Sequence, residues 1–199
     1  MQSSIRLAAN PREREQLYSF RYRIYVEEMN RPQRYADHER RRIEDPLDPA
    51  GYNLIAWEGE EVVGCVRLNL AWLGGVDYYR DLLRMDELAG GFPLGVSLCT
   101  RLMVAPDRRG GSLAFRLSAA SYQLAKESGV EWNFIDCNDH LVGFFEKLGY
   151  VRTHRPVHEE YGIVNAMRLD LANWSSPDGK RDVPKSRRAT AEFAHGEAA

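Results

Sequence analysis

The strongest constraint on the fold is the stretch over residues 98–114, LCTRLMVAPDRRGGSLA. There a short apolar run breaks at Pro106 into a basic, glycine-bearing loop and then into a helical pattern. A strand that ends this way turns unpaired backbone N–H groups, the positive end of a helix dipole and the side chains of Arg108 and Arg109 toward one anionic group. The junction reads as a phosphate cradle. The same residues also serve as an ordinary strand-to-helix connection, so the loop by itself leaves both readings open.

The flanking segments supply the rest of the order. Residues 4–8 read as a strand, and Pro11 opens a helix running to about residue 29, with Leu17, Phe20, Ile24 and Tyr25 on one face. Residues 30–49 are polar, with prolines at 32, 46 and 49, and read as a long loop. Residues 52–57 and 61–71 alternate around Glu58-Gly59-Glu60 as a hairpin, and residues 77–88 form a helix broken by 89–93. A strand over 97–104 leads through the cradle into a helix over 111–128. It is followed by a strand over 130–138, a short helix over 140–150 ending at Gly149, and a last strand over 162–171. This order predicts an α+β domain with one mixed, largely antiparallel sheet flanked by helices.

A chain of 199 residues with 44% apolar and 11% aromatic content can bury a full core in one domain, expected over residues 1–174. Residues 175–199 are rich in Ser, Pro, Gly, Lys and Arg without periodicity, and are expected to be disordered. The formal net charge of −2 gives no global field to recruit nucleic acid or anionic membrane. The basic tail residues Lys180, Arg181, Lys185, Arg187 and Arg188 are balanced by nearby acids. The cluster Arg31, Arg34, Arg40, Arg41 and Arg42 suits a solvated loop as well as a ligand site. Cys65, Cys99 and Cys137 all fall in predicted strands without paired spacing and are expected to be reduced core thiols; no metal-ligating pattern is visible. The absence of a signal-like or membrane-length apolar run gives a cytoplasmic expectation.

Two motifs together carry a resemblance. LMVAPDRRGGSLAFRL, followed some thirty residues later by FFEKLGYVRT, resembles the acyl-CoA-binding and C-terminal motifs of the GNAT superfamily of N-acyltransferases, over most of residues 3–172. The resemblance implies the GNAT fold and an acyl-CoA or acyl-carrier-protein thioester as co-substrate. The family loop pattern Arg/Gln-x-x-Gly-x-Gly/Ala falls on Arg109, Gly110, Gly111, Ser112, Leu113 and Ala114, with Ser112 replacing the middle glycine. Serine is small enough to leave the approach to the amides open. Leu102, Met103 and Val104 fall on the family strand in which a bulge frees backbone groups for pantetheine and for the thioester carbonyl. Where the family often keeps a tyrosine as general acid, this chain has Phe145, so proton donation to the thiolate passes to His140, Asn138 or Tyr122 or is dispensed with.

The N-terminal half adds FRYRIYVEE at residues 20–28, EDPLD at 44–48 and VGCVRL at 63–68. These resemble the opening of acyl-homoserine lactone synthases and their relatives, the N-acyl amino acid synthases. That likeness implies an acceptor side lined by Arg23, Asp45, Asp48 and Arg67, with Arg101 as a further substrate contact. Paired acids can hold an ammonium and take its proton, and an arginine can fix a carboxylate or brace the acids; the same set also makes an internal ion-pair network. The lactone synthases carry a glutamate three residues before the strand arginine, where this chain has Leu98 before Arg101. The expectation is therefore direct acylation, in a ternary complex, of an amino acid or other small amine. The alternatives are lactone synthesis and a non-catalytic acyl-CoA-binding module. Acyl-enzyme chemistry at Cys99 or Cys137 is disfavoured because no neighbouring residue would lower either thiol pKa.

Overall fold

The computed structural model describes residues 3–174; the tail expected to be disordered lies outside the described residues. Strand β1 (Ser4–Leu7) leads into helix α1 (Pro11–Tyr22). Asn10 caps the helix by accepting the Glu13 N–H at 3.0 Å, Glu13 reaches back to the Ala9 N–H at 2.7 Å, and Pro11 occupies the first turn, where no donor is needed. The helix then loosens into a π-helical turn over Arg23–Glu28 and stops at Asn30, which has a positive φ of 48°. Two short strands, β2 (Ala36–Asp37) and β3 (Arg42–Ile43), pair inside the segment read as loop.

The hairpin is β4 (Gly51–Glu58) and β5 (Glu61–Leu70). The next helical segment divides into α2 (Asp77–Leu83) and α3 (Met85–Leu88) because Arg84 is left-handed at φ 50°. Strand β6 (Val96–Val104) is followed by α4 (Leu113–Glu127), β7 (Trp132–Cys137), α5 (Val142–Lys147) and β8 (Val151–His154). The minor pair β9 (Val157–His158) and β10 (Gly162–Ile163) precedes β11 (Asn165–Asp170), so the single strand expected over 162–171 is two.

Seven strands form one sheet in the order β1-β4-β5-β6-β7-β11-β8. Every neighbouring pair is antiparallel except β6 and β7. Side-chain alternation divides the core between the two faces. Cys99, Ile135 and Cys137 pack with Tyr122 of α4 and Phe145 of α5, whereas Leu98 and Phe134 pack with Leu83 and Met85 beside α2 and α3. Gly64 is the close-approach point of α4 on the sheet: a Cβ there would stand 2.9 Å from Leu117 Cδ1 and 3.0 Å from the Met103 carbonyl oxygen. All three cysteines are free and buried in strands, as expected.

Candidate active site

The parallel ladder between β6 and β7 covers only Val96, Ser97 and Leu98, opposite Trp132, Asn133 and Phe134. Beyond that point the strands separate, and the β6 edge from Cys99 to Val104 has no ladder partner on this side. The other edge is disturbed as well. Cys65 pairs with Met103 while Arg67 pairs with Thr100, so β6 carries one extra residue at Arg101 and Leu102. Arg101 sits there with φ 58°, a left-handed conformation that costs a non-glycine residue on the order of 1 kcal/mol and that marks functional sites more often than ordinary strands.

A cavity of about 140 Å³ fills the opening and runs between the two faces of the sheet. Its walls include Thr100, Arg101 and Leu102 of the bulge, Ser118, Ser121 and Tyr122 of α4, and Phe145 of α5. On the other face it is bounded by Tyr25, Tyr79 and Tyr161. Ala114, Ser118, Ser121 and Tyr122 lie at helical spacings of four, seven and eight residues, so one α4 face leads from the glycine loop to the cavity, and its first three side chains are small.

At the loop, Gly110, with φ 80°, turns the chain into α4. The N–H groups of Gly110, Gly111, Ser112, Leu113 and Ala114 have no hydrogen-bond partner among the described residues, which is the condition for an anion cradle at a helix start. Arg109 departs from the sequence reading. Its N–H closes on the Pro106 carbonyl at 3.3 Å, and its guanidinium bonds the Val104 carbonyl at 3.0 Å and pairs with Glu28 at 2.9 Å. Arg108 is likewise paired with Glu58 at 2.9 Å. The cradle is thus built of backbone dipoles, with both loop guanidiniums already neutralised. Met103 and Val104 are core residues beside Leu113 and Leu117, and of the three strand positions expected to receive the donor only Leu102 reaches the cavity.

The acceptor-side residues form a buried network. Arg67 donates from Nη1 to Asp45, stands 3.0 Å from Asp48 and donates through Nε to Thr100 Oγ1 at 3.1 Å. Arg101 donates to Asp45 at 2.7 Å and to Gln33 Oε1 at 2.9 Å, with Tyr161 Oη 3.3 Å away. The helix arginine in this network is Arg21, bonded to both Asp48 oxygens at 2.8 Å and to Asn53 at 2.6 Å. Arg23, the sequence choice, is exposed and pairs at 3.4 Å with Glu61. Arg21 stands four residues after Leu17 and three before Ile24, on the apolar stripe itself, whereas Arg23 lies off it. Burial opposes ionisation of Asp45, but Arg67 and Arg101 outweigh it and hold the carboxyl well below the usual carboxylate range.

Asp45, Arg67 and Arg101 also line a second cavity of about 390 Å³ between the 45–48 turn and His158, and Arg101 and Tyr79 belong to the walls of both cavities. His140 lies exposed in a 3-10 turn over Asp139–Leu141 and reaches neither cavity, so the structure does not bring it to the site. Cys99 and Cys137 do line the first cavity, but burial pushes their thiols up to about 11 and about 12, which leaves them protonated and poorly nucleophilic. The Tyr122 hydroxyl is pushed far up by burial and keeps its proton beside the same space. Asp136, not singled out in the sequence, lines the first cavity too. Its signal was an acid flanked by Phe134, Ile135 and Cys137 in the strand pattern VEWNFIDCN. Among the described residues no group of three or more His, Cys, Asp and Glu side chains could hold a metal ion, and no helix is long and apolar enough to cross a membrane.

A bulged strand splayed from a parallel neighbour, with an amide cradle at the head of the intervening helix, defines the GNAT architecture. Residues 15–150 match the model of the acetyltransferase (GNAT) family, and the chain belongs to that family of acyl-CoA-dependent acyltransferases. No curated protein matches the sequence. Among solved structures the chain is similar to BjaI, a CoA-dependent acyl-homoserine lactone synthase described with SAM and isopentyl-CoA, at 22% identity and TM-score 0.61 over 85% of this chain and 83% of that one. It is also similar to FeeM, an N-acyl amino acid synthase from uncultured soil microbes, at 14% identity and TM-score 0.63 over 87% and 93%. Escherichia coli ElaA gives 16% identity and TM-score 0.61 over 84% and 99%.

Proposed function

We propose that the protein transfers an acyl group from a CoA thioester to the amine of a small, carboxylate-bearing acceptor such as an amino acid, by direct attack in a ternary complex. The observation that carries the donor half is the opening between β6 and β7, which begins at Cys99 and shares the α4 face of Ala114 and Ser118 with the unpaired amides of the loop. A diphosphate on those amides would send its pantetheine arm along the small side chains into the cavity. The protonated thiols of Cys99 and Cys137 support direct attack over a covalent acyl-enzyme.

The acceptor half rests on charge. The buried network contains three guanidiniums, Arg21, Arg67 and Arg101, and two carboxylates, Asp45 and Asp48, which leaves one positive charge in excess. Arg31 lines the first cavity and forms no ion pair among the described residues. A substrate carboxylate would offset this excess, while the acids of the network are fully engaged by arginines and poorly placed to hold an ammonium. Lactone synthesis is less well supported: Leu98 is fully buried beside Phe134, so the position three residues before Arg101 contributes an apolar contact and no carboxylate.

The test is release of free thiol from acyl-CoA in the presence of amino acids, their amides and simple alkylamines, with acyl-carrier-protein thioesters as competing donors. Turnover confined to carboxylate-bearing amines supports the proposal. Equal turnover of amino acid amides would remove its acceptor half, and a preference for the carrier-protein thioester would replace its donor.

A further inference from the structure

We propose that Asp136 is the base that takes the proton from the acceptor ammonium. This rests on the acyl-transfer reading above. Asp136 lies two residues beyond the last β6–β7 pair, Leu98 with Phe134, on the strand that bounds the opening, and its side chain lines the cavity. By alternation it shares a face with Phe134, the face of Tyr79 and Arg101, across the sheet from the α4 approach of the donor. Its carboxylate forms no ion pair and no hydrogen bond to another residue among the described residues, unlike Asp45 and Asp48, whose oxygens are occupied by arginines. It is therefore the acid of this site left free to accept a proton.

The groups around it suit that task. Facing it are Tyr79 and Tyr78 of α2, Arg101 of β6 and His158 of β9. The Glu160 N–H donates to His158 Nδ1 at 3.0 Å, which leaves the ring proton on Nε2, 3.5 Å from Tyr79 Oη. A histidine held in this tautomer does not present a second full cation to Asp136. Burial raises the proton affinity of Asp136, and the Arg101 charge offsets this only in part; burial lowers the proton affinity of His158, in keeping with its neutral tautomer. Such a carboxylate accepts a proton at higher pH than an exposed one.

The step balances. The ammonium gives one proton to Asp136, and the freed nitrogen lone pair forms the bond to the thioester carbonyl carbon. The C–S bond then breaks, and the second proton lost by nitrogen passes to the departing thiolate to give the thiol. Asp136 returns its proton to solvent through the cavity.

The experiment compares the full chain with Asp136→Asn in thiol release, with an amino acid and with aminooxyacetate, a carboxylate-bearing nucleophile whose nitrogen is already unprotonated at neutral pH. Donor binding is followed by the shift in Tm with CoA. The expected result is a loss of about 100-fold or more in kcat with the amino acid at pH 7, a nearly intact rate with aminooxyacetate, and an unchanged CoA shift. The acidic limb of the wild-type kcat profile, in which rate rises as pH climbs through the raised Asp136 pKa, should be absent from the variant. Equal rates for wild type and variant, or equal losses with both nucleophiles, would overturn the role of Asp136 and leave acyl transfer standing. A wild-type protein that binds CoA thioesters yet turns over no amine would overturn both.

Discussion

Arg21 donates to both carboxylate oxygens of Asp48 at 2.8 Å, and neither side chain has any exposed surface. The pair joins α1 to the 45–48 turn, and Asp48 also accepts the Asp45 N–H at 2.8 Å, so one carboxylate positions the other. Removing one partner of a buried pair leaves the other charged and unsolvated, an effect of about 3–5 kcal/mol. Asp48→Ala should therefore lower the urea midpoint by an amount corresponding to a loss of that size. Arg23→Ala, on the exposed neighbour, should change stability by about 0.5 kcal/mol or less. Comparable losses in the two variants would show that the network does not anchor the loop.

Asp45 gives this anchoring a pH dependence. Its carboxyl is depressed below its ordinary value of 3.8, because Arg67 and Arg101 outweigh the opposing effect of burial. A depressed acid binds fewer protons folded than unfolded, so its contribution is fully present above pH 3.8 and is lost as pH falls below it toward the folded-state value. Stability measured from neutral pH downward should fall more steeply in that window for the wild type than for Asp45→Asn. Parallel curves would mean that Asp45 does not titrate on unfolding.

Much of this architecture is legible in the residues. The periodicity of Leu17, Phe20 and Ile24, the hairpin turn at Glu58-Gly59-Glu60 and the loop at Gly110 and Gly111 each specify a local structure, and their order is the order of the fold. Asp45, Asp48, Arg67 and Arg101 were all identifiable, and the structure joins them in one network. What escaped depends on distant partners. Arg21 and Arg23 are both arginines on one helix, and only the packing of α1 against the 45–48 turn selects the first. Arg109 reads as a cation for a ligand until folding brings Glu28 beside it. The short pairs β2–β3 and β9–β10 are two residues each, below the length at which alternation gives a signal.

Ser112 tests whether the loop amides bind a diphosphate. The side chain is exposed just ahead of α4, where a carboxylate is tolerated by the helix dipole and would stand among the unpaired amides. Ser112→Glu should raise KM for an acyl-CoA about tenfold, the equivalent of losing roughly 1.4 kcal/mol of charge-assisted binding. KM for the matching acyl-pantetheine, which lacks the diphosphate, should stay nearly constant. Steady-state kinetics with the two donors decide it: equal effects would place the diphosphate elsewhere.

Gly51 allows the acceptor wall to be disturbed without removing any of its polar groups. A Cβ at this position would stand 2.7 Å from Arg67 Cδ, 2.9 Å from Arg67 Cγ and 2.9 Å from the Leu47 carbonyl oxygen. The carbonyl is backbone and accepts from Asn69 Nδ2 at 2.9 Å, so the 45–48 turn resists movement and the Arg67 side chain must yield. Its guanidinium would then lose its placement between Asp45, Asp48 and Thr100. Overpacking of this kind costs about 1–3 kcal/mol, and Gly51→Ala should be destabilised by that amount in urea. Because Arg67 touches the second cavity and not the β6–β7 opening, the same variant should raise KM for the acceptor while KM for the donor thioester stays close to wild type. A larger effect on the donor than on the acceptor would show that Arg67 does not stand on the acceptor side.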